Sequence, residues 1–169
     1  MGNRMEISKK SLLKMFATKK VMTLSEAARI SRRTKHSTKY HLKKFGAVTS
    51  INKNAGYYSL PEIIEWDEYG LWEYEKILFS KLGTVAATIT FLVDDSPSGL
   101  SGGEIARTLK CSCYSILVRL TEKRVLRRER MSGRYIYFSA DDELFKRQRE
   151  KHLELSGADA GCRELAHIL

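Results

Sequence analysis

The sequence predicts a mostly helical α+β protein in which two copies of one module, each ending in a small β-hairpin, are joined by a helical connector. Three observations predict this fold: an internal repeat, the buried rhythm of short amphipathic helices, and turn residues between short β-prone runs. A chain of 169 residues can hold two small domains. We assign module 1 to residues 6–60, the connector to 61–83, module 2 to 84–140, a C-terminal helix to 141–155 and a partly mobile tail to 156–169.

The repeat relates residues 23–60 to residues 100–139. Ala106, Arg107 and Leu120 stand 78 positions after Ala28, Arg29 and Leu42. The offset grows to 80 where the two stretches end, because the second hairpin is slightly longer. Insertion at a hairpin tip is readily tolerated. Matched positions over this length indicate a duplicated module.

Module 1 is expected to open with a helix, a short strand and a second helix. Ser8 predicts the start of the first helix, because a serine hydroxyl can accept from the free N–H groups of the first turn. Residues 21–24 are apolar enough to form a short strand that pairs with the later hairpin. Ser25 can cap the second helix, which carries Ala27, Ala28 and Ile30.

The third helix of module 1 is predicted from a cap and a buried stripe. Thr34 can cap it, and Thr38, Leu42 and Phe45 follow the i, i+4, i+7 rhythm of a packed face. Residues 47–51 and 57–60 then predict two short strands, joined by the turn residues NKNAG.

The other face of this third helix is cationic, which suits a DNA major groove that admits one helix between two rows of phosphates. For this helix taken alone, a charged face that is simply solvated is the alternative. Arginines in the preceding turn and a lysine at the hairpin tip are further candidates. The DNA-binding residues predicted in module 1 are Arg32, Arg33, Lys35, His36, Lys39, Lys43 and Lys53.

The net charge of +10 lies on the modules. Residues 1–60 hold 14 Lys and Arg against 2 acids, and residues 84–140 hold 9 against 5. The connector holds 2 against 6, and residues 141–169 hold 5 against 7. A basic footprint confined to the modules is typical of proteins whose modules face a polyanion.

The connector, 61–83, is acidic and contains both tryptophans. So many aromatic side chains are expected to pack on a module or on a second copy of the chain. We predict a helix over residues 71–81 that fixes the orientation of the modules, with a dimer interface as the alternative.

Module 2 is predicted to repeat the helices with a different distribution of charge. Residues 84–93 predict its first helix, Ser101 or Gly102 the start of the next, and Ser112 takes the place of Thr34. Its second repeat helix is poorly basic, whereas its hairpin is rich in arginine. Either this hairpin grips the DNA backbone and minor groove, or the helix contacts a protein. The predicted contact residues of module 2 are Tyr114, Arg119, Arg127, Arg128, Arg130 and Arg134.

The sequence predicts neither a metal site nor a cofactor nor a catalytic residue. Cys111 and Cys113 are closer than the spacing of structural zinc ligands, and Cys111 is expected to be a buried thiol in the turn. Phosphate-binding glycine loops and nucleophile elbows are absent from the sequence. We therefore expect a protein that is not an enzyme.

The C-terminal helix, 141–155, carries a narrow apolar stripe suited to packing on module 2 or to a coiled-coil contact. The sequence contains no run of eighteen apolar residues and no apolar centre near its start, which predicts a cytoplasmic protein without a membrane partner, associated with the nucleoid when bound to DNA.

Both repeats resemble winged helix-turn-helix domains of bacterial and archaeal transcription regulators. The resemblance lies in LSEAARISRRTKHSTKYHLKKFGAV and GEIARTLKCSCYSILVRLTEKRVL, with hairpins, or wings, that end in YYSL and YIYFS. It implies double-stranded DNA binding, often by dimers. The poorly basic second recognition helix departs from the pattern and leaves equal DNA use of the two modules open.

The function expected from these observations is sequence-specific transcription regulation in a prokaryote. The alternative is an adaptor of a mobile element or toxin–antitoxin system, in which module 1 holds DNA and module 2 contacts a protein. A homodimer or protein partner could use the connector, the module 2 helix or the C-terminal helix. Structured RNA is a third candidate ligand.

Overall fold

The computed structural model describes the backbone of residues 7–165 and the side chains of residues 7–157. The chain forms two compact units, Met1–Thr84 and Val85–Leu169. Within the described part, seven α-helices and three small antiparallel sheets make a mixed α and β fold. The first residue assigned to module 1 and the last four of the predicted tail lie outside the described residues.

The first unit begins with α1 (Lys9–Thr18), for which the Ser8 cap is confirmed: Ser11 N donates to Ser8 Oγ at 3.1 Å. Strands β1 (Met22–Thr23), β3 (Tyr57–Ser59) and β2 (Val48–Thr49) form an antiparallel sheet in that order. Its elements are α1 (Lys9–Thr18), β1 (Met22–Thr23), α2 (Leu24–Ser31), α3 (Lys35–Lys44), β2 (Val48–Thr49), β3 (Tyr57–Ser59), β4 (Leu71–Tyr74) and β5 (Ile77–Ser80). Its apolar core contains Ile7, Leu12, Phe16, Met22, Leu42 and Leu60.

The predicted helix over residues 71–81, and with it the helical connector, is wrong. Strands β4 and β5 pair there as an antiparallel hairpin closed by Glu75 and Lys76, whose φ angles are 49° and 65°. Two left-handed residues make a tight hairpin loop, which usually requires Gly or Asn. Because this loop has neither, the sequence carried no turn signal there. Trp72 stacks on Tyr74 and also packs against Phe79.

This hairpin is attached to the chain that follows β2. Ile51 N donates to Leu78 O at 2.8 Å. The buried amide of Asn52 accepts from Leu78 N at 2.9 Å and donates to Lys76 O at 3.0 Å. These three bonds hold the β4–β5 hairpin against the chain that directly follows β2.

The second unit repeats the order helix, strand, helix, helix, strand, strand. Its elements are α4 (Val85–Asp95), β6 (Leu100–Ser101), α5 (Gly102–Leu109), α6 (Tyr114–Glu122), β7 (Leu126–Met131), β8 (Arg134–Ser139) and α7 (Asp142–Leu165). The sheet order β6-β8-β7 matches β1-β3-β2 of the first unit. The helix predicted over residues 84–93 is confirmed as α4, despite its β-branched residues, because burial on the sheet outweighs weak helix propensity.

Helix α7 packs on its own unit through Gln148, which is fully buried. Its amide donates to Val93 O at 2.7 Å and to Ser96 O at 2.8 Å, and accepts from Ser139 N at 2.9 Å. The helix does not end at residue 155 as predicted but continues through Leu165. A single glycine in a helix weakens it without ending it, so Gly157 is no reliable stop signal. No helix in residues 7–165 is both long and apolar enough to cross a membrane.

Gly99 is required where the chain enters β6. Its φ is +71°, and a Cβ at this position would lie 2.6 Å from Phe138 Cδ1 and 2.7 Å from Tyr137 O. Both the left-handed backbone and the close approach exclude a larger residue.

We predict that Gly99→Ala lowers the free energy of unfolding by about 2–4 kcal/mol, because it combines left-handed strain with overpacking. Urea unfolding followed by circular dichroism measures the change. The matched control is Gly103→Ala, where an added Cβ meets nothing within 4 Å. Equal stability of the two variants would contradict the analysis.

Candidate nucleic-acid interface

Helix α2 is held at its start by a reciprocal cap. Thr23, not the predicted Ser25, is the capping residue: Glu26 N donates to Thr23 Oγ1 at 3.2 Å, and Thr23 N donates to Glu26 Oε2 at 2.9 Å. The prediction was wrong because the apolar Leu24 belongs to the helix and not to the strand before it. Glu26 completes a capping box three residues after Thr23.

The turn between α2 and α3 is set by Arg32, which has the left-handed angles φ 53° and ψ 44°. Arg33 N donates to Ala28 O at 3.0 Å, so the turn stays tied to α2. Thr34 then caps α3 as predicted, accepting from Ser37 N at 3.2 Å. These contacts place α3 directly after a short turn and fix its direction.

One face of α3 is buried by Thr38, His41 and Leu42. Thr38 Oγ1 donates to Thr34 O at 2.9 Å, and His41 Nδ1 lies 2.7 Å from Ser37 O. Because a carbonyl oxygen only accepts, His41 Nδ1 carries a proton. Thr38 and His41 therefore have hydrogen-bond partners in α3 and its cap, and Ser31 Oγ of α2 also lies 3.4 Å from Thr38 Oγ1.

The opposite face of α3 is exposed and cationic. Its predicted contact residues, Lys35, His36, Lys39 and Lys43, are all exposed. Sequence analysis missed Tyr40, which is 61% exposed beside them. Tyr40 follows His36 by four residues, a spacing that puts both side chains on the same helix face, so the sequence did contain a signal for its exposure. The face thus combines charge with an aromatic ring.

A concave cleft of about 700 Å³ lies beside the start of α3. It is lined by Ala28, Arg29, Arg32, Arg33, Thr34, His36 and Ser37. The cleft brings the two predicted turn arginines together with His36 and with Arg29, which the sequence had not nominated. Lys53 lies apart from it, exposed in the turn between β2 and β3, where residues 53–55 all have positive φ.

The second unit builds the same turn from different residues. Ser101 caps α5 as one of the two predicted candidates, and Glu104 completes the capping box. Ser101 N donates to Glu104 Oε2 at 2.8 Å, and Lys110 takes the left-handed position that corresponds to Arg32. Burial raises the pKa of Glu104, but the bonds from Ser101 and the charges of Arg107 and Arg134 lower it to a net value below the ordinary one.

Two sequence predictions fail in this turn. Ser112 does not cap α6, because Cys113 occupies that position and makes no side-chain cap. Cys113, not Cys111, is the buried thiol, while Cys111 is half-buried. Burial, with the adjacent Cys111 sulfur at 3.8 Å, raises the pKa of Cys113 to about 12, so it is a protonated thiol at neutral pH.

Helix α6 exposes few charges. Tyr114 is 74% exposed and Arg119 is exposed, so both predicted contact residues are accessible. Leu117 is buried on the inner face. The outer face is therefore aromatic with one guanidinium, in contrast with the lysines of α3.

The arginines of the β7–β8 hairpin divide into two groups. Arg127 is engaged by its own unit: it donates to Ala140 O at 2.9 Å, pairs with Asp142, and lies 4.8 Å from the centre of the Phe145 ring. A guanidinium with these partners supports the start of α7, so Arg127 is the predicted contact residue with the least freedom to bind DNA.

Arg128, Arg130 and Arg134 are exposed. The guanidinium of Arg128 lies 4.3 Å from the centre of the Tyr135 ring. Sequence analysis also missed Tyr135, which is 47% exposed. It lies directly opposite Arg130 in the hairpin, and a residue opposite an exposed arginine shares its face of the sheet. The hairpin therefore offers cations with one aromatic ring.

Among the residues that the structure describes, no three His, Cys, Asp or Glu side chains are grouped as a metal site. Comparisons with protein-family models, curated proteins and solved structures found no match to this chain.

The α2 cap gives a pH dependence of stability. The backbone N–H of Thr23 lowers the pKa of Glu26 below its ordinary value of 4.5, with Lys19 adding to the effect and burial opposing it. A lowered folded pKa stabilises the protein above pH 4.5, and this stabilisation is lost as the pH falls through the folded value. We predict that Glu26→Gln destabilises the protein at pH 7 and that the difference disappears under acid conditions.

Urea unfolding at several pH values measures this difference between variant and natural chain. The control is Glu65→Gln, at an exposed glutamate outside the caps. A Glu26→Gln effect that is the same at pH 7 and at pH 3 would show that the carboxylate charge contributes nothing to the cap.

Proposed function

We propose that this protein binds double-stranded DNA through two winged helix-turn-helix units and acts as a sequence-specific transcription regulator. The observation that carries the proposal is α3, a helix buried by Thr38, His41 and Leu42 and exposed on its cationic face. A packed helix that follows a short turn and presents cations outward has the form of a major-groove reader. The proposal includes no catalytic activity, and it implies a cytoplasmic, nucleoid-associated protein.

The exposed groups of α3 suit two kinds of contact. Lys35, Lys39 and Lys43 can neutralise phosphates on the rims of the groove, which supplies affinity but no sequence information. His36 and Tyr40 lie on the same exposed face and can reach base edges. Arg32 and Arg33, in the cleft beside the helix start, suit the phosphates that flank the contacted bases.

The second unit suits a supporting role on the same DNA. Arg128, Arg130 and Arg134 are exposed on or beside its hairpin, in the position that a wing occupies next to its recognition helix. Arginine prefers a narrow minor groove, where it reads shape more than base identity. We therefore propose that unit 1 supplies most of the sequence specificity.

Selection from a random pool of DNA duplexes, followed by sequencing at two salt concentrations, tests the proposed function. Enrichment of one motif of about 10–20 base pairs supports a regulator that contacts one to two helical turns. Salt-sensitive binding without enrichment would reject sequence-specific regulation. Stronger binding to an A-form RNA duplex would reject DNA as the ligand.

We predict that Lys39→Glu combined with Lys43→Glu lowers affinity for the selected duplex about 100-fold and reduces the slope of log K against log salt by about two. Fluorescence anisotropy titrations at several salt concentrations measure both quantities. Arg147→Glu, at an exposed position of α7, is the control and is expected to change neither. Equal losses in the two proteins would mean that only overall charge matters.

The alternative is an adaptor in which unit 1 holds DNA and unit 2 contacts a protein. The observation that favours it is α6, whose exposed face presents Tyr114 and Arg119 in place of the lysines of α3. Tyrosine and arginine are the residues enriched at the centres of protein interfaces. Partner contacts, including a second copy of the chain, could also use the hairpin β4–β5 or helix α7.

We predict that Tyr114→Ala and Arg119→Ala together lower DNA affinity about tenfold and shorten the selected motif if both units read DNA. Leu117 is unsuitable for this test, because its buried side chain would confound binding with stability. The measurement is repeated selection with the double variant. An unchanged motif and affinity would exclude α6 from DNA reading and favour the adaptor.

A further inference from the structure

Strand β7 leaves one edge of the second unit's sheet open among the described residues. Strand β7 is the edge strand of the sheet β6-β8-β7 and is six residues long, whereas β2 at the same place in the first unit has two. A long exposed edge presents a row of N–H and C=O groups to which another strand can pair.

The hairpin loops show which main-chain groups point outward. The two residues that flank a two-residue hairpin loop form main-chain hydrogen bonds with each other. The next pair of opposed residues along the strands does not, and its N–H and C=O groups point away from the partner strand. In the hairpin β4–β5 this rule turns Leu78 outward, and Leu78 does bond outside the hairpin, to Ile51 N and to the Asn52 side chain. The rule therefore holds in this protein.

The same rule shows which residues of β7 turn their main-chain N–H and C=O groups toward its open edge. Ser132 and Gly133, with φ angles of 49° and 81°, form its two-residue loop, flanked by Met131 and Arg134. Arg130, and then Arg128, turn their N–H and C=O groups outward. Neither residue makes a backbone hydrogen bond to another segment within residues 7–165.

In the first unit, the chain that continues from the corresponding edge strand has a partner. There the chain after β2 is bonded to β5, through Ile51 and the buried Asn52. The corresponding edge in the second unit has no such partner among the described residues. Beside it lies a groove of about 550 Å³, lined by Thr121, Arg124, Leu126, Arg127, Arg128 and Ala140.

Charge selects the kind of strand that this edge accepts. On one face of β7 the charges are already paired, because Arg127 bonds Asp142 and Glu129 bonds Arg149 at 2.9 Å. On the other face Arg128 and Arg130 are exposed, and residues of an added strand would lie directly opposite them. Carboxylates at alternate positions complement these guanidinium groups, and apolar residues there do not.

We propose that the edge of β7 binds an extended, acidic segment of a partner protein by strand addition. The partner segment continues the sheet with main-chain hydrogen bonds, and its alternate Asp or Glu side chains pair with Arg128 and Arg130. This gives the second unit a protein ligand of defined chemistry. The inference does not depend on DNA binding by α3. Because it uses Arg128 and Arg130, which are also proposed to contact DNA, the acidic segment and DNA would compete for these two side chains.

Binding of a fluorescein-labelled peptide with alternate glutamates, TEVEVET, to the full chain tests the proposal by anisotropy. The two variants compared are Arg128→Ala and Arg128→Pro. Both remove the guanidinium, but only proline also removes the outward N–H, and proline is tolerated on an edge strand because the internal ladder is kept. We expect Arg128→Pro to bind the peptide about tenfold more weakly than Arg128→Ala.

Equal affinities of the two variants would overturn strand addition, since charge alone would then explain binding. Circular dichroism checks that Arg128→Pro folds. If it does not, the natural chain is titrated with TEVEVET N-methylated at alternate residues, in both registers. Loss of binding in one register supports the proposal, and retention in both overturns it. Equal affinity for the lysine peptide TKVKVKT also overturns the proposal. So does a chain that binds a 20-base-pair DNA duplex but does not bind the acidic peptide.

Discussion

Each unit depends on one residue that belongs to the sheet and to a helix at the same time. Thr23 pairs with Tyr57 across the sheet and caps α2 through Glu26. Ser101 likewise pairs with Ile136 and caps α5 through Glu104. Because a cap sets the direction in which its helix starts, this residue ties the direction of the helix pair to the sheet. The turn and the next helix follow from that direction.

The two units differ in how they use the surface that this shared frame provides. The first unit has lysines along α3, and the chain that follows its edge strand β2 is bonded to β5. The second has an aromatic α6, arginines in its hairpin and a six-residue open edge. The two units therefore share an order of helices and strands but present different side chains on the surfaces that correspond.

The hairpin arginines show why charge in a sequence does not translate directly into a binding site. Arg127 lies between Arg124 and Arg128 in a basic run, yet its guanidinium supports the start of α7 through Ala140 and Asp142. Strand alternation sends Arg128 and Arg130 to the other face, where they are exposed. Arginines that are neighbours in the sequence therefore make different contacts, and the face of the sheet on which each side chain lies decides which contacts it makes.

The sequence by itself determined the elements whose signals are local. The caps at Ser8 and Thr34, the helix α4 and the exposed cations of α3 follow from residue type and spacing, because cap and periodicity act within one or two turns. The internal repeat also predicted an order of helices and strands that the two units share.

Only the tertiary structure decided the features that depend on distant partners. The hairpin β4–β5 replaced a predicted helix because Asn52 and Ile51, more than twenty residues away, bond Leu78, and because Glu75 and Lys76 take a left-handed loop without a glycine. Burial of Cys113 in place of Cys111, and the attachment of α7 through Gln148, are likewise settled by packing. Local propensity is weak beside such contacts, so a sequence pattern can name the elements but not choose their partners.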